Sequence, residues 1–309
     1  MVTKSSKADL SGGHFTSTTH HTTYDYISPL KLDLAGKHVL VTGAAWEYGV
    51  GYATATAFAR AGASAIAIAD LHGIPDDLAE ELKLAAAHAG RPEPVVLSCV
   101  VDISKQDSVQ TMYETVLKEF NGRLDVLVNN AAHMGPYQPI LDVDPDVFWQ
   151  SWEVNVRGLF NMMRAFLPLL LPRQETSSST VNGLCTMINV ASSGALSARP
   201  GSASYRSSKL AVLRLTETLQ MEYGDKGLLT YCVNPGAIKT KLSENLPGRL
   251  REALPDQPDV AGDTIAWLAA ERRDWLAGRY VSCPWNMEEL LAKRDEIVEE
   301  DKLKIRMVF

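Results

Sequence analysis

Tyr205 and Lys209 stand four residues apart in the stretch SASYRSSKLAVLRL. On a helix that spacing places both side chains on one face. A free phenol has a pKa near 10, too high for ready proton exchange at neutrality, and an ammonium beside it favours the phenolate. The pair is a candidate general acid/base. Upstream, INVASSG (188–194) closes an apolar run, and Ser192 or Ser193 can hydrogen-bond the oxygen of a reacting carbonyl or alcohol. Either feature alone is commonplace in helices and at strand ends. A nucleotide site in the same chain would make the combination specific.

The stretch VTGAAWEYGVG (41–51) offers one. An apolar run, HVLVT (38–42), ends there and a helix rich in small residues begins near Gly49. Gly43 lets the chain turn. Gly49 and Gly51, on either side of Val50, let backbone approach a pyrophosphate and let the helix pack on the sheet, with free helix N–H groups facing the phosphates. A strand-to-helix turn that merely needs glycine would look similar. Asp70 tips the balance. It ends the next apolar run, AIAIAD (65–70), where a carboxylate accepts hydrogen bonds from ribose hydroxyls. A 2′-phosphate there would meet like charge, Glu47 adds another negative charge, and no Arg or Lys follows Asp70 at once. These residues predict NAD rather than NADP.

The elements needed to position these groups recur along the chain. Further apolar runs lie at 95–102, 124–130, 184–190, 228–234 and 279–283, with helical patterns between them, including one long helical region over 145–171. Strands apolar on both faces, alternating with helices, predict a doubly wound α/β fold with a parallel sheet of about seven strands. The chain reads as a flexible Ser-, Thr- and His-rich arm (1–36), a single domain (37–285) and a charged helical extension of that domain (286–309). RQETSSSTVNG (173–183) reads as a polar surface loop.

Composition narrows the function. The chain has 309 residues, a formal net charge of −7 and no basic cluster, which argues against nucleic acid or an anionic membrane as partner. The most apolar stretch, 158–172, is too short and too interrupted by Asn161, Arg164 and Pro168 to span a bilayer, and the N-terminus has no apolar leader. Cys99, Cys185, Cys232 and Cys283 are far apart, predicting no metal site and reduced, buried thiols in a cytoplasmic protein. Adjacent His20 and His21, without further ligands, do not change this.

Together these motifs resemble the short-chain dehydrogenase/reductase family. TGAAWEYGVG resembles its TGxxxGxG loop, NNAA (129–132) its NNAG element, YRSSK its YxxxK signature and NPGAIKT (234–240) its PG segment, in family order from about residue 36 to 283. The resemblance implies hydride transfer between a nicotinamide and a secondary alcohol or ketone. It selects Ser192, thirteen residues before Tyr205, to orient the reacting oxygen. Tyr205 moves the proton. Lys209 binds the nicotinamide ribose, and Asn155 holds a water that relays protons to Lys209. Asp102 would contact adenine, and Asn129 would support the central strand. Ile238 and Thr240 would touch the carboxamide; Ile103, Asn130, Ala131 and Pro235 complete the cofactor set. It also implies a homo-dimer or homo-tetramer, formed through helices around Asn155 and Tyr205 whose surface includes Phe148, Trp149, Trp152 and Phe160.

Two departures from the pattern stand out. Five residues, Ala44 to Tyr48, separate the first two glycines where the family places three. The surplus should bulge, with Trp46 or Tyr48 covering the cofactor or a neighbouring loop. The long arm and C-terminal extension resemble fungal members of the family, many serving natural-product pathways. The extension would cover the pocket or join an interface. The substrate pocket should be lined by His133, Met134, residues 194–200 and residues after Thr240, with 241–256 as a lid. Two other functions remain open at this stage: non-redox proton transfer on the same fold, and nucleotide binding without catalysis.

Overall fold

In the computed structural model of the protein, which describes residues 12–172 and 183–307, seven strands form one sheet. They are β1 (His38–Thr42), β2 (Ala65–Asp70), β3 (Val95–Val100), β4 (Val126–Asn129), β5 (Thr186–Val190), β6 (Leu229–Asn234) and β7 (Arg279–Ser282). All neighbours are parallel, in the order β3-β2-β1-β4-β5-β6-β7. Parallel neighbours need crossovers, and helices supply them. The first three are α1 (Val50–Arg60), α2 (Asp76–His88) and α3 (Gln106–Glu119). Next come α4 (Pro145–Trp152) and α5 (Leu159–Leu170), then α6 (Ala203–Tyr223), and finally α7 (Gly248–Glu252) with α8 (Pro258–Ala270). Strand order reverses between β1 and β4, which opens a crevice at the carboxyl ends of those strands.

The expected doubly wound sheet is present, with three differences from the sequence reading. β3 is not apolar-buried on both faces: it is the edge strand, and Val95 and Val100 are exposed. The 145–171 region is not one regular helix. A π-helical turn, Glu153–Gly158, joins α4 to α5 and contains Asn155. The charged C-terminal helix is two short helices, α9 (Met287–Ala292) and α10 (Arg294–Glu299). The loop expected over 173–183 lies outside the described residues except for Gly183.

The arm also departs from expectation over residues 12–36. Its backbone and hydroxyls find partners on the C-terminal part of the domain. Trp285 donates through its indole to the Gly12 carbonyl at 2.9 Å, and Phe15 packs on that ring. The hydroxyls of Thr18 and Ser17, joined by their backbone N–H groups, donate to Glu289 and hold its carboxylate down at about 2. Thr22 and Thr23 donate to Asp259 and Asp263, and His21 bonds Asp256. Ile27 is fully buried. Ser/Thr composition reads as solvated only when the carboxylates that accept its hydroxyls are unseen. Among the described residues, no helix is long and apolar enough to cross a membrane, and the four cysteines are free and buried.

Asp263, on α8, yields a pH prediction. It is 2% exposed, and burial raises its pKa to about 6, against the opposing pull of Thr23 and of Arg60 at 4.0 Å. The folded pKa lies above the unfolded value, so the stabilising contribution of the protonated form is present below the unfolded pKa and lost as pH rises through about 6. Asp263→Asn removes that loss. Urea denaturation should show the variant gaining roughly 1–3 kcal/mol on the wild type at pH 7.5, with the gain vanishing near pH 4.

Candidate active site

The loops after β1, β4, β5 and β6 converge on one cavity of about 590 Å³. That volume suits a small-molecule site. Its first end is built by the glycine loop: Gly43, Trp46, Gly49, Val50 and Asp70 line it. Gly43 has φ +70°, and a Cβ there would lie 2.8 Å from the Ala131 Cα; one on Gly51 would lie 2.3 Å from the Gly43 carbonyl oxygen. Asn130 staples the turn, its Nδ2 donating to the carbonyls of Thr42 (2.9 Å) and Gly43 (3.0 Å), while Thr42 Oγ1 accepts from the Asn130 and Ala131 N–H groups. Gly49 caps α1 without a side-chain bond, leaving the first helix N–H groups available to an anion. Asp70 accepts from Ala45 N–H at 3.2 Å and faces the cavity. It is therefore both a turn residue and a carboxylate at the nucleotide end. This cradle fits a dinucleotide. Of the two loop aromatics, Trp46 lines the cavity, whereas Tyr48 is exposed and packs edge-on against Trp46 at 5.9 Å.

At the far end, α6 supplies the proton-transfer pair. Val212, Leu213, Thr216 and Leu219 bury the helix against the sheet, and this fixes which face its first turns present to the crevice. Tyr205 and Lys209 both line the cavity, as do Ser192 and Ser193. The Tyr205 hydroxyl is hydrogen-bonded to Ser192, and Ser192 Oγ accepts from Gly194 N–H at 3.0 Å. Ser193 instead has its N–H on Asn234 Oδ1. Geometry thus distinguishes the two serines. Lys209, 3% exposed, donates to the Val190 carbonyl at 2.7 Å, with Nζ 5.9 Å from the Tyr205 ring centroid. Burial lowers its pKa to about 8.

The expected lowering of the phenol by Lys209 is not what the protein's own groups produce. Burial raises the Tyr205 pKa, opposed by the Ser192 hydrogen bond and the Arg206 charge. Desolvation outweighs the neighbouring charges here.

Asn155 lies behind this wall. Its Oδ1 accepts from His133 N–H at 2.8 Å, and its Nδ2 donates to the His133 carbonyl and to Ser208 Oγ. With Lys209 and Ile103 it borders a separate cavity of about 10 Å³, space for about one water. Asn129 is buried and donates to Asn189, which donates to Thr216 on α6, tying β4 and β5 to that helix. Pro235, Ile238 and Thr240 line the main cavity, and Asp256 accepts from Ala237 N–H at 2.6 Å to hold that loop.

Several expected residues are placed elsewhere. Gly51 packs under the loop and does not line the cavity. Asp102 sits beyond β3, accepting from Ser104 N–H and Oγ, and Ile103 packs against Gly158. His133 turns to Ser151 (3.1 Å) and leaves Met134 to line the pocket. The lid expected over 241–256 contributes Lys241, Leu242, Ser243, Leu246, Leu250 and Leu254; no residue of the C-terminal extension lines the cavity among those described. Arg199 lines it as part of the expected 194–200 loop; Tyr137 and Arg206 also line it and were missed. Arg206 directly follows Tyr205, so its position in the signature was an available signal.

The chain matches the family model for short chain dehydrogenases over residues 37–250. It is 42% identical to the short chain dehydrogenase mpl6 of Monascus purpureus over 293 residues, covering 94% of this chain and 96% of the relative. It is 40% identical to the short chain dehydrogenase pigC of Monascus ruber, covering 95% and 94%. Among solved structures it is similar to a 3-ketoacyl-(acyl-carrier-protein) reductase from Brucella melitensis complexed with NADH, with a TM-score of 0.67, 30% identity, and 81% of this chain and 97% of that one covered. Sheet, glycine cradle and sequence agree, and the chain belongs to the short-chain dehydrogenase/reductase family of NAD(P)-dependent oxidoreductases.

Proposed function

We propose that the protein is an NAD(H)-dependent oxidoreductase that interconverts a secondary alcohol and a ketone. The observation that carries this reading is the convergence of Ser192, Tyr205 and Lys209 on the cavity whose other end is the Asp70-bearing glycine cradle. Gly43, Gly49, Val50, Asp70, Asn130, Ala131, Pro235, Ile238 and Thr240 hold the dinucleotide; Gly51 supports the loop from beneath. When bound, the nicotinamide supplies or accepts a hydride. Ser192 donates a hydrogen bond to the reacting oxygen. Tyr205 delivers a proton to that oxygen in reduction and removes it in oxidation. Lys209, charged below about pH 8, holds the nicotinamide ribose, and Asn155 positions the small cavity through which a water links Lys209 to its surroundings. The family pattern assigns Asp102 and Ile103 to the adenine, from the loop that follows β3.

Asp70 favours NAD over NADP because a 2′-phosphate would meet its carboxylate at close range. Relatives in Monascus support a place in fungal natural-product metabolism. Exposed Trp149 and Phe160 support a homo-dimer or homo-tetramer through α4, α5 and α6, and four buried free thiols suit a cytoplasmic setting. A panel of ketones and secondary alcohols, followed at the nicotinamide absorbance, tests the reaction. Turnover of a substrate with no change in that absorbance would replace hydride transfer by a non-redox reaction.

A further inference from the structure

The substrate end of the cavity combines apolar side chains and hydroxyls with a group of cations. Met134, Leu246, Leu250 and Leu254 line it, and so do Arg199, Arg206 and Lys241. Among the described residues Asp70 is the only carboxylate lining the cavity. It lies at the end of β2, three strand spacings from β5, or about 14 Å away. The cations therefore have no acid to answer them within the site. Arg206 is fixed by its neighbours: Nε donates to Ser202 Oγ at 2.8 Å and Nη1 to the carbonyl and hydroxyl of Ser197, each at 3.0 Å. No hydrogen bond from its Nη2 is present among the described residues. Arg199 is exposed and Lys241 is exposed, and neither has an ion pair among those residues. Burial opposes the Arg206 charge, and the nearby Arg199 guanidinium adds to that cost. Two arginines on one cavity wall with no carboxylate beside them carry a cost that a bound anion would offset, and the planar fork suits a carboxylate or phosphate.

We propose that Arg199 and Arg206, with Lys241 on the facing lid, form a subsite for an anionic group carried by an otherwise apolar ketone or alcohol. The anion is a carboxylate or a phosphate. This deepens the oxidoreductase reading and rests on it for the identity of the cavity. Both arginines also border a second hollow lined by the 194–200 loop, and an anion held by them leaves the carbonyl to reach Ser192 and Tyr205.

The test is isothermal titration of the full-length protein, alone and with saturating NADH, using 4-acetylbenzoate, 4-acetylphenyl phosphate and the neutral methyl 4-acetylbenzoate. One or both anions should bind about 10-fold more tightly than the ester, and which one does so separates carboxylate from phosphate. Arg199→Gln, an exposed change that leaves the fold alone, should shrink that ratio to about 3-fold or less, and Arg206→Gln should do the same. A merely structural role for Arg206 would weaken all probes together and leave the ratio intact. Equal affinity for anions and ester, no binding of any probe, or a ratio insensitive to both substitutions overturns the subsite. Arginine-dependent anion binding with no oxidation of NADH leaves the subsite standing and sinks the hydride-transfer reading instead.

Discussion

Tyr205→Phe is expected to lower kcat by about 10²- to 10⁴-fold while NADH still binds with unchanged affinity. The ring packs as before; only the hydroxyl that hydrogen-bonds Ser192 is lost. The phenol lines this wall beside Ser192 and can hand a proton to an oxygen held there. Its pKa is raised by burial within the protein, so its activity depends on the neighbours that stabilise the phenolate. Single-turnover rates with a reducible ketone, beside a fluorescence titration with NADH, separate the two quantities. A loss of affinity matching the loss of rate would make the hydroxyl a binding group and not the proton carrier.

Gly51→Ala is expected to abolish cofactor binding and to destabilise the fold. The added methyl would fall 2.3 Å from the Gly43 carbonyl oxygen and 2.7 Å from Asn130 Nδ2. Real atoms do not approach so closely, so the start of α1 must move away from the turn. The displaced atoms are backbone and a staple that already spends its amide on Thr42 and Gly43. Such overpacking costs about 1–3 kcal/mol. The larger effect falls on the cradle, because the N–H groups at the head of α1 lose their aim. NADH affinity should drop by about 100-fold or more, a change of roughly 3 kcal/mol. Urea denaturation and NADH titration measure the two effects. Near-normal affinity in a stably folded variant would show that the head of α1 does not hold the dinucleotide.

Much of this arrangement was legible in the sequence because it depends on local pattern. β1 and β2 coincide with the runs HVLVT and AIAIAD, since short β-branched and alanine-rich segments bounded by glycine have few other places to go in a buried sheet. Tyr205 and Lys209 share a face because helical spacing demands it. What escaped depends on contacts distant in sequence. The π-helical turn around Asn155 leaves no mark on hydrophobic periodicity. The N-terminal segment looked solvated because its partners, Asp256, Asp263 and Glu289, lie more than two hundred residues on. β3 looked like an interior strand, and only sheet order shows it to be an edge. His133 looked like a pocket residue, but the hydrogen bond to Ser151 turns it away. Arg199 lay in the expected 194–200 loop and Arg206 inside the YRSSK signature, but neither announced an anion, and their meaning comes from the acid-poor wall around them.

The central claim is that the Asp70-bearing cradle holds NAD(H) for redox chemistry. Paired titration of the protein with NADH and NADPH, following the fluorescence of Trp46 with Trp46→Phe as control, tests it most directly, since that ring lines the cavity beside the loop. Binding of NADH about 10-fold or more tighter than NADPH is the predicted result. Tighter binding of NADPH, or binding of neither, would contradict it.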